Sequence, residues 1–357
     1  RNLIAMQHLG ADNFAEVQAD GRRETYTGGA FRYGMFESGE WLVEGKGWFA
    51  DPRHRDFAGG GVFNGRAIWA LGEALKADPR GPYSAQVRAA IRAGARFCLR
   101  DAVDLGYARR TQGSRTLWNR SDGEHAYLLL GLIAACEVDP WMECEGFGER
   151  SVPLKRVVCD ALDALAESAG SDGLWSRYGN GAAMDVAALA LGAVTFPAEK
   201  GTGAWREAAV RAADRWMTML VRDGEPTWAT PMFAHMIAEG TDARVTFHLG
   251  REERAHVSLY MGGHWIHALA LLQRSTGDVR YGRRAHQILA YYLGNNPLRV
   301  RLLSEIGSVN NRITDSDGDG VEDALHWDAY PESTAFVQIG LMHLLRHCPF
   351  PQPSEKP

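Results

Sequence analysis

The sequence predicts an all-α fold, a toroid of helical hairpins of the (α/α)6 barrel kind, with long loops forming a cleft. Three observations carry this. Apolar residues recur at helical spacing along most of the chain. Nearly all-apolar helical segments, suited to an inner ring, coexist with segments that keep a polar face, suited to an outer ring. The 357 residues show no break in composition, so one core is expected over 1–350, with an irregular N-terminal segment over 1–45 and a short tail over 351–357.

In chain order, the helical spacing falls at 64–77, 85–103, 124–137, 152–169, 182–194, 204–221, 229–239, 256–275, 279–293 and 333–346. Short breaks rich in Gly, Pro and Asp separate them, as at 77–82 (ADPRGP), 170–173 (GSDG) and 275–278 (STGD), and such breaks turn one helix back on the next. The segment 182–194 (AAMDVAALALGAV) is apolar nearly all round, whereas 204–221 alternates charged and apolar faces. An ordinary helical solenoid stays open as the alternative, although no fixed repeat period appears.

Composition excludes several classes. No apolar run is long enough to span a bilayer. The net charge is −5, and the basic residues are 34 Arg against 5 Lys, so no strongly basic face for nucleic acid is expected. Cys98, Cys136, Cys144, Cys159 and Cys348 make no zinc spacing and read as structural thiols. The chain starts at Arg1, which suggests a processed or trimmed chain, one that lost a signal peptide or an upstream domain, and a secreted or periplasmic location is the expectation. It is expected to be a monomer or weak oligomer. No GxSxG elbow and no phosphate-cradling glycine loop is present.

Two stretches resist the helical reading, 1–63 and 294–332, and long polar loops are where such a fold would carry its chemistry. In the second, Asp315, Asp317, Asp319 and Asp323 alternate around Gly318 and Gly320. Carboxylates so spaced converge on a hard cation, and a stand-alone calcium loop is expected, because the twelfth position is His326 and not the Glu of a helix-loop-helix sensor. A solvated acidic turn is the bland alternative.

The helix over 279–293 ends in Tyr291-Tyr292-Leu293-Gly294-Asn295-Asn296-Pro297-Leu298. By its residue types this is a helix stop followed by a turn. With Gly307 and Asn310-Asn311-Arg312 downstream, it resembles glycoside hydrolase family 9, inverting (α/α)6-barrel cellulases with a YxLGxNPL motif at this helix end. The resemblance implies that Arg312 contacts sugar, with Asn311 beside it. The family's two histidines before that arginine are asparagines here. It implies Glu322 as general acid, with Glu332 in reserve since Glu322 lies inside the acidic loop, where a bound cation would keep it ionised. It implies Asp56 as the base that holds water, with Asp51 as partner, although the family's DAGD signature is absent from 47–57. The likeness covers 48–75 and 264–345, and between them only the helix pattern matches.

The chemistry agrees in kind, because inverting hydrolysis needs one protonated and one ionised carboxyl with room for water between them. Trp48, Trp118, Trp175, Tyr178, Trp228, Trp265 and Trp327 fall in loops or at helix starts and could stack on sugar rings, though such aromatics more often pack a core. Asn119, Asp122 and His125 cluster at one helix entry, where helix capping is the simpler reading. The expected substrate is a polysaccharide or oligosaccharide, glucan-like or uronate-containing.

Two alternatives stay open. A polysaccharide lyase on the same barrel would use His or Tyr as base with Asn or Arg on the uronate carboxylate, and Asn119, His125, Tyr178, His256, Tyr260, His264, Asn310, Asn311 and Arg312 supply those types. His256, His264 and His267 fall on adjacent turns with Tyr260, and histidines about a turn apart can chelate zinc, but no third ligand is evident. A degenerate barrel that only binds polysaccharide is the third reading.

Overall fold

The computed structural model describes residues 14–17, 23–26, 62–99, 109–112, 115–118, 124–144, 152–169, 179–220, 237–239, 246–248, 257–258, 260–295, 299–304, 310–314, 324–329 and 331–348. Among these the helices are α1 (Val62–Ala77), α2 (Ser84–Leu99), α3 (Glu124–Val138), α4 (Leu154–Ser168), α5 (Gly179–Thr195), α6 (Thr202–Leu220), α7 (Tyr260–Thr276), α8 (Val279–Tyr292) and α9 (Pro331–His347). The class is all-α, as the sequence predicts. No described helix is long and apolar enough to cross a membrane.

Short strands decorate the helices: β1 (Phe14–Val17) with β2 (Arg23–Tyr26), β3 (Arg109–Gln112) with β4 (Arg115–Trp118), β5 (Glu143–Cys144) with β6 (Val152–Pro153), β7 (Ile237–Glu239) with β8 (Thr246–His248), and an antiparallel sheet of β9 (Val257–Ser258), β10 (Asn310–Thr314) and β11 (Ala324–Ala329) with β10 central. The helix expected over 229–239 is corrected at its end, because Ile237↔His248 and Glu239↔Thr246 pair as strands. A strand partner close behind it in sequence, β8, overrides local helical spacing there. The helix expected from 256 likewise begins at Tyr260, since Val257 and Ser258 pair with β10.

Backbone contacts divide the chain into two compact units, 1–120 with 124–165, and 121–123 with 166–357. In the first, α1 packs on α3 through Arg66 to Tyr127 (3.3 Å), Trp69 to Tyr127 (6.1 Å between rings) and the ion pair Lys76–Glu137. The sequence offset between partners stays nearly constant, so the two helices run parallel. They meet backbone to backbone at glycine: a Cβ on Gly131 would strike the main chain of Ile68 and Trp69. α2 turns back from α1 through 78–83, where Arg88 donates to the Pro79 carbonyl. α4 returns from α3 through a contact in which the Leu154 N–H donates to the Met142 carbonyl (2.7 Å).

The second unit repeats this logic. α7 and α9 are joined at His264 to Phe336, His267 to His343 and Gln273 to the His347 carbonyl, again at a nearly constant offset, so they too are parallel. α8 lies antiparallel to α7, because Gly282 N–H donates to Gln273 Oε1 near one end and Tyr292 reaches Gly262 and Gly263 near the other. α6 turns back from α5 over 196–201, and its Trp216 packs tilted against Trp265 near the start of α7. α5 therefore begins at the same end as α7 and α9.

Burial separates inner from outer helices. Residues 126–136 of α3, 181–193 of α5 and 262–272 of α7 are buried without exception. On α8 the buried set is Tyr281, Gly282, Ala285, Ile288, Leu289, Tyr291 and Tyr292, one stripe at helical spacing. An all-apolar helix is stable only when neighbours cover every side, so the inner helices follow from their own sequences.

Candidate functional site

The second unit gathers its polar candidates at the end where α5, α7 and α9 begin. β9 ends at Ser258 and α7 starts at Tyr260; β11 ends at Ala329 and α9 starts at Pro331. The three-stranded sheet is thus tied to the N-termini of two parallel helices, α7 and α9. In it Arg312 pairs with His326 on one side and Ser258 on the other, and Asn311 falls at a register irregularity between Asn310 and Arg312. Trp327 lies on β11, and Glu332 is the second residue of α9 behind Pro331, a residue suited to the first helical position. The pair Thr314↔Ala324 closes the base of 315–323.

Other sequence-derived candidates fall elsewhere. Trp48, Asp51, Asp56, Tyr178, Glu322 and the loop aspartates Asp315, Asp317, Asp319 and Asp323 lie outside the described residues. His125 is in the first turn of α3, in the first unit. His264 and Trp265 are 0% and 1% exposed, so the exposed stacking ring expected at Trp265 is corrected to a core residue packed on Trp216 (6.1 Å). His264 stacks on Phe336 with 3.6 Å between centroids. Among the described residues no three His, Cys, Asp or Glu gather to hold a metal ion.

The structure adds residues that the sequence reading passed over. Asp185 is fully buried on α5, where it is the one ionisable side chain in an otherwise apolar and small segment. A buried carboxylate is costly and therefore informative; its signal in the sequence was the single charge in AAMDVAALALGAV. His267 is buried too, and desolvation, then the neighbouring rings of His343, His264 and His347, hold its pKa well below the ordinary imidazole value. At the far end of α8, burial raises the Tyr292 hydroxyl pKa although the N–H groups of Gly262 and Gly263 donate to it.

The helix stop read from Leu293-Gly294-Asn295 is a Schellman turn. Asn295 N–H donates to the Ala290 carbonyl (2.9 Å), Gly294 N–H to the Tyr291 carbonyl (3.4 Å), and Gly294 has φ +109°. The chain then returns so that Leu302 N–H donates to the Tyr292 carbonyl (2.9 Å), on its way to β10.

No family model matches the chain, and no curated protein matches it. The resemblance to family 9 thus stands on the motif residues. Solved structures similar to it include a family 76 α-mannanase of Bacteroides thetaiotaomicron (11% identity, covering 79% of this chain and 68% of the other, TM-score 0.48). They also include a cellobiose 2-epimerase of Bacillus thermoamylovorans (12%, 80% and 72%, 0.46). A third is a family 76 mannosidase of Bacteroides thetaiotaomicron VPI-5482 (9%, 97% and 96%, 0.46). At this distance none of the three transfers a substrate or a residue role to this chain.

Proposed function

We propose that the protein is a carbohydrate-active enzyme, an inverting glycoside hydrolase acting on a polysaccharide or oligosaccharide, on the (α/α)6 architecture that its parallel helix pairs suit. The observation that carries the reading is the sheet fixed to the starts of α7 and α9, which brings the segment of Arg312 and the segment of Glu332 to one end of the second unit. Guanidinium groups bind pyranose hydroxyls and uronate carboxylates, and a carboxyl beside them is what glycosidic cleavage requires. In this reading Glu322 or Glu332 protonates the leaving oxygen, Asp56 holds the attacking water with Asp51 beside it, and Arg312 orients the sugar. Asp315, Asp317, Asp319 and Asp323 hold a calcium ion, an assignment supported by the closed base of their loop at Thr314↔Ala324.

The test is incubation with neutral glucans and uronate polymers, following reducing ends and the ultraviolet absorbance of unsaturated uronates together. New reducing ends without that absorbance are expected; both signals rising together would mean elimination and overturn hydrolysis. Asp56→Asn should lower kcat by about 10²–10⁴-fold, the usual worth of a general base. Glu322→Gln and Glu332→Gln should divide, one as damaging as Asp56→Asn and the other not. If neither lowers kcat, the acid assignment fails.

A further inference from the structure

We propose that Tyr292 is a positioning residue of the saccharide site: its hydroxyl clamps the first turn of α7 and so fixes the β9–β10 register that presents the segment of Arg312. The proposal rests on the saccharide reading above.

The first N–H groups of any helix have no partner within it, and a Ser, Thr, Asp or Asn just before the helix commonly supplies one. Here the residue before Tyr260 is Leu259, which has no side-chain oxygen. For Gly262, the third residue of α7, the acceptor comes instead from the end of the neighbouring antiparallel helix, where Tyr292 Oη receives its N–H and also that of Gly263, the first residue with an acceptor inside the helix. A hydroxyl has two lone pairs, enough for both. Tyr292 is fully buried, so no water can take over this role without opening the core.

The same turn is held from its other side. A Cβ on Gly263 would lie 2.5 Å from Phe336 C and from Val337 N, so α9 touches the α7 backbone at the residue that Tyr292 caps. From there to Ser258 is a few residues of chain, and Ser258 pairs with Arg312 while Val257 pairs with Ile313. Tyr292 also controls the second approach to β10, since its own carbonyl accepts Leu302 N–H after the Schellman turn. The hydroxyl thus joins the end of α8 to the start of α7, while the backbone carbonyl of the same residue holds the chain that leads on to the strand of Arg312.

The test is Tyr292→Phe in the full chain, which keeps the ring and removes one oxygen. Amide hydrogen exchange should quicken roughly tenfold at Gly262, Gly263, Val257 and Ser258, the loss of about one hydrogen bond's protection, while α3 is unchanged. On the polymer found active, KM should rise several-fold with kcat unchanged. Unaltered exchange across β9 and β10 overturns the clamp. Faster exchange with unaltered KM reduces Tyr292 to a brace without a positioning role. A wild-type protein inert on every saccharide sinks the functional reading instead, and the proposal falls with it, whatever the exchange shows. If the variant does not fold, the unaltered protein still decides: rapid exchange at Gly262 and Gly263 in it overturns the clamp.

Discussion

His267 shows how burial sets chemistry at a single residue. Its ring is 2% exposed and lies 4.4 Å from that of His343, which is itself 5.6 Å from His347. The fold holds His267 neutral, whereas the unfolded chain titrates near pH 6.5. The unfolded state therefore binds the proton first as pH falls, so stability is full above about pH 6.5 and declines below it until the depressed folded pKa is reached. Thermal unfolding at pH 7 and pH 5 should show this decline, and His267→Gln should flatten it; an equal slope in the variant would reject His267 as its source. Cys348 behaves similarly, with burial pushing its thiol pKa up to about 11. The sequence reads Cys348 as a structural thiol and His267 as one of the histidines of 256–267, but a pKa depends on what surrounds the side chain on every side. Asp185 was missed for the same reason, since a lone carboxylate in an alanine-rich helix is equally compatible with a solvated edge.

At the scale of elements, glycine fixes how closely the parallel helices approach. Gly131 admits the backbone of α1, and Gly263 and Gly340 let α7 and α9 touch. Gly131→Ala should destabilise by about 1–3 kcal/mol or more through overpacking, measured by chemical denaturation. A neutral result would mean that the helices can part without cost. Gly294→Ala should cost about 1–2 kcal/mol because its φ of +109° disfavours a side chain. Helix existence was legible throughout the described residues except at 237–239, where β7 pairs with β8. The stop at Gly294 was legible because αL geometry leaves a residue-type signature. The glycine contacts were not, since Gly72 and Gly131 are 59 positions apart and nothing local marks them as partners.

For the whole molecule, the acidic loop between β10 and β11 gives the broadest test. If it binds calcium, chelator should lower Tm, and restoring calcium at about 100 times the dissociation constant should return roughly 2.7 kcal/mol. Replacing Asp317 and Asp319 with Asn should abolish that response, and a chelator-insensitive Tm in the wild type would remove calcium from the account. The loop's residue spacing was readable in the sequence, and only the strand pairing Thr314↔Ala324 adds that its two ends are held together.

By itself the sequence determined the all-α class, the division into all-apolar and amphipathic helices, the turn at Gly294 and the candidate carboxylates, because each depends on residue types at short spacing. Tertiary structure alone decided that α1 and α3, and likewise α7 and α9, run parallel, that Trp265 and His264 lie in the core, and that a tyrosine on α8 caps α7. These depend on which surfaces meet. Hydrophobic burial is non-directional, so an apolar stripe announces that a helix will be covered without naming the partner that covers it.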